Sequence, residues 1–322
     1  MSHEVEMIDG QAQMAYAGEL PWHGLGTKVA SDLAPSQIMQ QAGLDWSVEK
    51  ETMTTASGVE IVGKKALVRS SDNKVLDVVG DNWNPVQNSE AFEFFSEYCL
   101  AGDMEMHTAG SLKGGQMVWA LAKVKESFDI LGGDQVDSYL LFSNPHKYGK
   151  AIDVRFTPIR VVCNNTLSMS LGQNVANSVS LNHRTAFNPE SVKQTMGIAH
   201  EKFAQYKETC EFLASKKFNM NSLIQYYNEV FPRTYQGKQE VNVKEYNDLT
   251  NNAQKAFSFL ETQPGAKFGE GSWWSALNSV TYLTDHKMGR EADSRLTSAW
   301  FGANQTRKVK AVEKAVEFAL AS

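Results

Sequence analysis

The chain has 322 residues, of which 42% are hydrophobic and 21% are charged, and these proportions are typical of a folded globular protein. The formal net charge of −6 disfavours a protein that coats duplex DNA through overall positive charge, because phosphate neutralisation supplies most non-specific affinity. No apolar run approaches the ~20 residues of a membrane span, and the N-terminus lacks the pattern of a signal peptide. We therefore expect a soluble cytoplasmic protein without a membrane partner.

The first part of the chain has the patterns of paired strands and single helices. Residues 1–30 are rich in glycine and turn formers, which indicates an ordered arm without a helix. Pro35 opens a short predicted helix, and alternating β-branched residues over 46–80 predict a meander of strands. Asn88 is placed to cap a second helix, which Gly102 ends.

Two hairpins are predicted after that helix. Residues 104–124 contain a glycine-rich turn between alternating stretches, and a second hairpin runs over 138–162 around the turn NPHKYG. Asn164 or Asn165 is predicted to cap a helix that begins with TLSMSL. These patterns predict an α+β fold over 1–187, in which antiparallel β-hairpins pack with helices.

Residues 188–322 are predicted to form a mainly helical region. At Asn188-Pro189 the apolar spacing changes to the helical period, and a long amphipathic helix is expected to run to about Ala214. A second helix is predicted over 221–231. The polar stretch 233–247 is predicted to be a mobile link, and helical patterning returns after it.

The residues that most often carry chemistry form no recognised motif. The seven His have neither the i, i+4 nor the H-x-H spacing of a metal-ligand set, and the three Cys include no CxxC. The glycine pairs lack the spacing of a phosphate-binding loop, and no nucleophile elbow or triad is present. We therefore expect no cofactor, no metal site and no catalytic residue, which favours a protein that is not an enzyme. A metal-dependent nuclease would need the fold to gather Asp77, Asp81, Glu105 and Asp153.

The interval 139–184 differs in charge from the rest of the chain, because it holds five basic residues and the single acid Asp153. Within it, Ile152, Val154 and Phe156 share one face of a predicted strand and Arg155 lies on the other. Arginine suits planar, multi-donor recognition of phosphate, and a helix start adds a favourable dipole. We predict a nucleic-acid-binding set in which Tyr148 or His183 stacks on bases. Its members are Lys147, Tyr148, Lys150, Arg155, Arg160, Asn164, Asn165, His183 and Arg184.

Two alternatives for charged residues stay open. The arginines of the interval would also fit an ordinary exposed sheet face on which each is paired with an acid. Near the C-terminus, a charged group between two helices would either fix the turn or bind an anion; it comprises Asp285, His286, Arg290, Asp293 and Arg295. The basic run that follows is predicted to be a solvated helix face; it comprises Arg307, Lys308, Lys310 and Lys314.

Five long motifs carry a resemblance to a known family. They are AYAGELPWHGLGT, VVGDNWNPVQNSEAFEFF, AGSLKGGQMVWALAKV, VRFTPIRVVCNNTLSMSL and LNSVTYLTDHKMGREADSRLTSAWFG. Over nearly its whole length the chain resembles the phage/plasmid-like protein family, an uncharacterised group of phages and mobile elements. The resemblance brings no catalytic residues, and it implies a context of phage DNA metabolism, recombination or defence against host restriction. By architectural analogy alone, the chain is also similar to phage single-strand annealing proteins, which form rings.

Three functions follow as expectations. The first is binding or annealing of single-stranded DNA by a homo-oligomeric ring or filament in the host cytoplasm. The second is a host-takeover or anti-restriction protein that presents an acidic surface to a host or phage protein, since residues 1–160 carry 13 basic and 22 acidic residues. The third is the metal-dependent nuclease.

Overall fold

Strands dominate the described part of the first half of the chain, and helices dominate that of the second half. The computed structural model describes residues 4–21, 24–160, 165–166, 178–184, 204–235, 238–239, 243–289 and 295–322. Both strands and helices pack into the cores, so the predicted α+β class is confirmed. Among these residues, no helix combines the length and the apolar character needed to cross a membrane.

The strands and helices follow one another along the chain with short connections. The strands are β1 Met7–Ile8, β2 Gln11–Ala12, β3 Met14–Ala17, β4 Thr27–Val29, β5 Val48–Thr54, β6 Glu60–Arg69, β7 Val75–Gly80, β8 Met104–Leu112, β9 Met117–Ile130, β10 Asp134–Pro145, β11 Ile152–Arg160, β12 Asn165–Thr166, β13 Ser178–Leu181, β14 Thr234–Tyr235 and β15 Lys238–Gln239. The helices are α1 Pro35–Gln41, α2 Asn88–Ala101, α3 over 204–215, α4 Met220–Val230, α5 Asn251–Ser258, α6 Trp273–Tyr282, α7 Arg295–Phe301 and α8 Ala303–Leu320. A π-helical turn, Leu283–Lys287, extends α6.

The largest sheet has the strand order β12-β11-β10-β9-β8-β3-β4, and β13 also pairs with β11. Strand β3 runs antiparallel to β8, with Ala15 opposite Ala109, and parallel to β4. The predicted N-terminal arm therefore supplies two strands to this sheet, while Trp22 and His23 lie outside the described residues. Because the pairing of β3 with β8 joins distant parts of the sequence, local patterns alone do not predict it.

A separate three-stranded sheet is the meander predicted over 46–80. Its order is β5-β6-β7, and both pairs are antiparallel. Helix α2 begins one residue earlier than predicted, because the cap is Gln87, whose backbone N–H donates to the Glu90 carboxylate at 2.7 Å. Asn88 is instead buried, and Gly102 ends the helix with φ 74°, as predicted.

The prediction of a helix that begins with TLSMSL is wrong at the start of this segment. Asn165 and Thr166 form β12, and they pair with Arg160 and Ile159 of β11. Thr166 is β-branched and satisfies its backbone in this ladder, so the capping propensity of the asparagines is overridden by pairing. Asn164 and the rest of the segment lie outside the described residues.

The chain forms two compact units that alternate along the sequence. Unit 1 consists of 1–125, 139–156 and 178–198, and unit 2 consists of 126–138, 157–177 and 199–322. The prediction set a single boundary at residue 187, whereas the structural division passes through the long strands β9, β10 and β11. Each long strand thus contributes residues to both cores.

Each unit has an aromatic core. In unit 1, α2 buries Phe92, Phe94 and Phe95, and the Phe95 ring meets Phe142 edge-on at 6.1 Å. In unit 2, α6 is buried along most of its length, and the Trp273 ring stacks on Phe318 of α8 at 5.5 Å. Such aromatic pairs add about 0.5–1.5 kcal/mol to the area they bury.

The remaining helical predictions fall partly within the described residues. Helix α4 confirms the prediction over 221–231 to within one residue. The long helix predicted from Pro189 is described only as α3, over 204–215. Within 233–247 the described residues include the paired strands β14 and β15.

Candidate nucleic-acid interface

The loop from β10 to β11, residues 146–151, presents basic and aromatic side chains from unit 1. Its first residue, His146, is fully buried, whereas Lys147, Tyr148 and Lys150 are exposed. Gly149 has φ 73°, a left-handed conformation that side chains other than glycine rarely adopt. The predicted turn thus holds three members of the predicted binding set close together.

A buried network anchors this loop. The His146 backbone N–H donates to the Gln116 carbonyl oxygen at 2.9 Å, and its ring Nε2 lies 3.1 Å from Asn88 Oδ1. The Asn88 amide nitrogen donates to the carbonyl oxygens of Leu44 and Trp46, so Oδ1 accepts and His146 Nε2 carries the proton. Burial, reinforced by the nearby His183, lowers the pKa of His146 to about 3. The imidazole is therefore neutral at physiological pH.

The segment 84–88, between β7 and α2, is held under the loop by three buried side chains. His183 Nδ1 lies 3.1 Å from the Asn84 carbonyl oxygen, and Asn144 donates to that of Val86 at 2.8 Å. His146 meets Asn88 at the other end. These bonds satisfy backbone groups that an irregular buried segment would otherwise leave unpaired.

His183 has a different position from the one predicted. Its ring is buried and stacks on Trp83 at 4.1 Å between centroids, and burial lowers its pKa. The imidazole thus lies inside unit 1, where a nucleobase has no free face to stack on. The neighbouring Arg184 is exposed. Because β13 pairs Leu181 with Ile152, Arg184 lies at the same end of β11 as the loop.

Tyr148 is more exposed than any other tyrosine whose side chain the structure describes, with 63% of its surface accessible. Its backbone N–H donates to Asp77 Oδ2 at 2.8 Å, which fixes the base of the side chain. The Lys64 ammonium lies 6.0 Å from the ring centroid, at the outer limit of a cation–π contact. Lys64 belongs to β6, so the sequence interval 139–184 alone does not reveal it.

We call this group the basic loop surface. It consists of Lys64, Lys147, Tyr148, Lys150 and Arg184. Lys147 donates to the Gln116 side-chain oxygen at 3.3 Å, and within the described part of the chain no carboxylate forms a salt bridge with any of the four cations. One exposed aromatic ring with a lysine ammonium near it, in a loop that carries two more exposed lysines, is therefore available to an anionic ligand.

Arg155 is not part of this surface. It lies within β11, on the opposite face from the buried Ile152 and Val154, as predicted, but it is half-buried and its Nε donates to Asp153 Oδ1. Arg155 therefore fits the alternative interpretation, in which an arginine on the sheet face is paired with an acid. Arg160 and Asn165 lie opposite each other in the β11–β12 ladder, and their side chains, like Asn164, lie outside the described residues.

Two of the four acidic residues proposed for a nuclease, Asp77 and Asp153, are engaged in other hydrogen bonds. Asp77 accepts the backbone N–H groups of Tyr148 and Val78 with its two carboxylate oxygens, and Asp153 accepts from Arg155. In the described part of the chain, no three His, Cys, Asp or Glu residues are grouped in a way that would hold a metal ion.

The C-terminal charges include a buried pair in unit 2. Lys308 Nζ lies 2.8 Å from Asp285 Oδ1, and both side chains are buried. Lys308 is therefore not on a solvated helix face as predicted, because the turn at Leu283–Lys287 brings Asp285 against α8. Asn304 donates to the Thr284 carbonyl oxygen beside this pair. Residues 290–294 of the predicted charged group lie outside the described residues.

Comparison with protein families places the chain among proteins of uncharacterised role. Residues 75–312 match the model described as "Domain of unknown function (DUF932)". The chain belongs to this family. No curated protein and no solved structure matches the sequence.

The DUF932 match includes most of the basic loop surface. It begins at Val75, the first residue of β7, and contains the loop 146–151 and Arg184. Lys64 and the rest of the hairpin formed by β5 and β6 precede the matched region. The family match assigns no activity, so the function has to be argued from the surface itself.

Proposed function

We propose that this chain binds single-stranded nucleic acid at the basic loop surface, as a cytoplasmic phage or mobile-element protein that anneals or protects strands. The observation that carries the proposal is Tyr148, an exposed ring that has the Lys64 ammonium 6.0 Å from its centroid and lies in a loop with the exposed Lys147 and Lys150. Proteins that bind single strands combine cations that follow the backbone with aromatic rings on which bases stack. A duplex hides its bases from such a ring, so the geometry favours a single strand.

The first test measures salt dependence with a fluorescein-labelled oligothymidylate. If all four cations contact phosphates, the slope of log affinity against log salt should be about −3, at roughly −0.7 per contact for a single strand. Lys147→Gln/Lys150→Gln should reduce the magnitude of the slope by about 1.4. The matched control, Lys207→Gln/Lys255→Gln, removes the same charge from exposed positions of α3 and α5 and should leave the slope unchanged.

The aromatic contribution is tested with Tyr148→Ala in the same assay. Loss of one stacked base should cost about 1–3 kcal/mol, so affinity should fall about tenfold or more. Tyr246→Ala, at another exposed tyrosine, is the control and should bind like the wild type. Absence of binding at low salt, or an affinity independent of salt, would remove the proposal.

A second candidate rests on the outer face of α2. Glu90, Glu93 and Glu97 are exposed at helical spacing and form an acidic stripe on unit 1. Such a stripe would suit a basic host or phage protein, as in an anti-restriction factor that mimics nucleic acid. Glu90→Lys/Glu93→Lys should release a host protein that the wild type retains in a pull-down. If the variant retains the same proteins, this candidate is excluded.

The nuclease remains the third candidate, although the hydrogen bonds of Asp77 and Asp153 argue against it. Incubation of the protein with single- and double-stranded DNA in Mg²⁺ or Mn²⁺ decides the matter. DNA that stays intact in every condition would eliminate this function.

A further inference from the structure

The hairpin of β5 and β6 continues beyond the three-stranded sheet as a free arm. Strand β7 pairs with β6 only from Lys64 to Val68, so the part of β6 before Lys64 has only β5 as a neighbour. In the hairpin arm, which we define as residues 51–64, every residue except the half-buried Met53 is exposed. Since neighbouring residues of a strand point to opposite faces, both faces of the arm meet solvent.

The arm is nevertheless a defined structure. Its turn is closed by a hydrogen bond from the Thr55 N–H to the Val59 carbonyl oxygen at 2.8 Å and by one from Gly58 to Thr55 at 2.9 Å. Thr52 pairs with Lys65 and Thr54 with Glu60, so the register shifts and residues 61–64, which we call the bulge, stand opposite Met53 alone. Lys64 also pairs with Gly80 of β7. A bulge re-aims side chains relative to the regular alternation of a strand.

Three apolar side chains are exposed at the end of the turn and in the bulge. Val59 is 62% exposed and Val62 is 86% exposed, and Ile61 between them is also exposed. These three β-branched apolar residues lie at the end of a hairpin that no further strand flanks. They are therefore not buried within unit 1. Apolar side chains exposed together in this way are available for contact with another molecule.

The charges along the arm disfavour strand addition by a second copy. The free edge strand β5 carries Glu49, Lys50 and Glu51 in succession, and charged residues on an edge strand oppose edge-to-edge pairing. When two copies of β5 pair in antiparallel fashion, the residues that face each other have either both even or both odd numbers, because facing side chains lie on the same face of the sheet. Centring the pair on Lys50 or Glu51 therefore sets like charges against each other.

The arm joins the basic loop surface directly. Lys64, the last residue of the bulge, lies over the ring of Tyr148, and Lys65 follows it. A strand that stacks a base on Tyr148 would therefore meet a cation and then the apolar residues of the bulge. Proteins that bind the duplex minor groove insert apolar side chains between neighbouring base steps and unstack them, at a cost of a few kcal/mol, and the stacked bases of a single strand can be separated in the same way.

We propose that Ile61 and Val62 form an apolar wedge that inserts between bases of the strand held at the basic loop surface, so that the protein unstacks the bases it binds. This inference rests on the proposed binding of single-stranded nucleic acid. It adds an activity, because a strand with separated bases is ready to pair with a complement. The bound class is a single strand, and a purine-rich strand reports the unstacking best because its bases have the most stacking to lose.

The test uses an oligoadenylate that contains 2-aminopurine, whose fluorescence is quenched by stacking. Binding of the wild-type chain should raise the fluorescence. Ile61→Ser/Val62→Ser should bind with nearly wild-type affinity by anisotropy but lose most of the rise. Because both side chains are exposed, the variant should keep the wild-type unfolding midpoint in urea.

A matched control removes apolar side chains from another exposed part of the same sheet. Val75→Ser/Val78→Ser on β7 should keep the full fluorescence rise. Equal loss in this control, or a wedge variant that loses as much affinity as Tyr148→Ala, would overturn the wedge. Wild-type binding without any rise would overturn the wedge and leave the proposed function standing, whereas no binding would remove both.

Discussion

Asn88 satisfies three buried polar groups at once and thereby holds the loop that presents Tyr148. Its amide nitrogen serves the carbonyl oxygens of Leu44 and Trp46, and its Oδ1 accepts from His146. A side chain in this position connects the start of α2 to the loop after β10. The positioning of the basic loop surface thus depends on a residue that contributes no charge to it.

We expect Asn88→Ala to destabilise unit 1 by at least about 2 kcal/mol, because each buried group left without a partner costs about 1–3 kcal/mol. Urea unfolding measures the change. Ser89→Ala, at the next and exposed position of α2, is the control and should alter stability by less than about 0.5 kcal/mol. If the two variants are equally stable, the anchoring role assigned to Asn88 is wrong.

Arg69 forms a second residue-scale anchor and leads to a prediction about pH. It is buried, and it donates to both oxygens of Asp72 and to those of Glu6. The hydrogen bonds from Arg69 lower the pKa of Asp72 from its ordinary value of 3.8 to about 2. A carboxyl whose pKa falls on folding stabilises the protein above its unfolded pKa, and this stabilisation is lost as the pH falls through about 2.

Asp72→Asn should therefore be less stable than the wild type near neutral pH, and the difference should shrink as the pH approaches 2. Because the Asp72 side chain is 42% exposed, the difference near neutral pH should not exceed about 1 kcal/mol. Urea titrations across this pH range measure it, with Asp32→Asn at an exposed position as the control. A stability difference that stays constant down to pH 2 would show that the charge of Asp72 has no part in it.

The sequence predicted the turn of the basic loop surface but not the buried position of His183, for a physical reason. Lys147, Tyr148 and Lys150 follow from their position in a turn-forming segment, which is local information. His183 contacts Trp83, and Tyr148 is reached by Lys64, so their environments depend on residues far away in the sequence. The burial of His183 and the presence of Lys64 near Tyr148 both result from tertiary packing.

At the scale of elements, a local side-chain cap sets the start of α4, although this start was predicted one residue later from the sequence and without a named cap. Asn219 caps α4, and its side chain accepts the Ser222 N–H at 2.9 Å. The cap predicted at Asn165 failed, because pairing of this residue in β12 with Arg160 of β11 satisfies the backbone there. Capping preferences of about 1 kcal/mol decide an end only when no ladder competes for the same groups.

We expect Asn219→Ala to lower the free energy of unfolding by about 1 kcal/mol, because it leaves an N–H of the first turn without its acceptor. Asn219→Ser should restore most of that stability, since serine also caps. Thermal unfolding of the three proteins gives the comparison. Equal stability of the alanine and serine variants would mean that the cap contributes nothing to α4.

At the scale of the whole molecule, the sequence predicted the fold class but not the division of the chain. The change from strands to helices is visible in the apolar period, whereas the alternation of the two units arises from strands longer than either core. Strand length beyond a core has no signature in local patterning, because β10 is buried along its whole length except at the half-buried Gln135. A single boundary is therefore the simplest interpretation of the sequence.

The net charge of −6 limits what one copy of this chain can do with nucleic acid. Four cations on the basic loop surface work against the repulsion of an acidic chain, so a single copy should bind a strand weakly. Several copies on one strand would add their cations, since each bound copy raises the effective concentration of the strand for the next. We therefore propose that several copies assemble on one strand as the expected ring or filament.

We therefore expect affinity to rise with strand length. An oligonucleotide of roughly 10 nucleotides, near the 4–16 covered by one binding module, should bind weakly and recruit one copy. One of about 60 nucleotides should bind much more tightly and carry several copies, which mass photometry counts directly. Lys147→Gln/Lys150→Gln should abolish the multiple occupancy, whereas Lys207→Gln/Lys255→Gln should preserve it. A single copy on the long strand at saturating protein would show that the basic loop surface acts alone, and an assembly of the same size without nucleic acid would show that protein contacts build it.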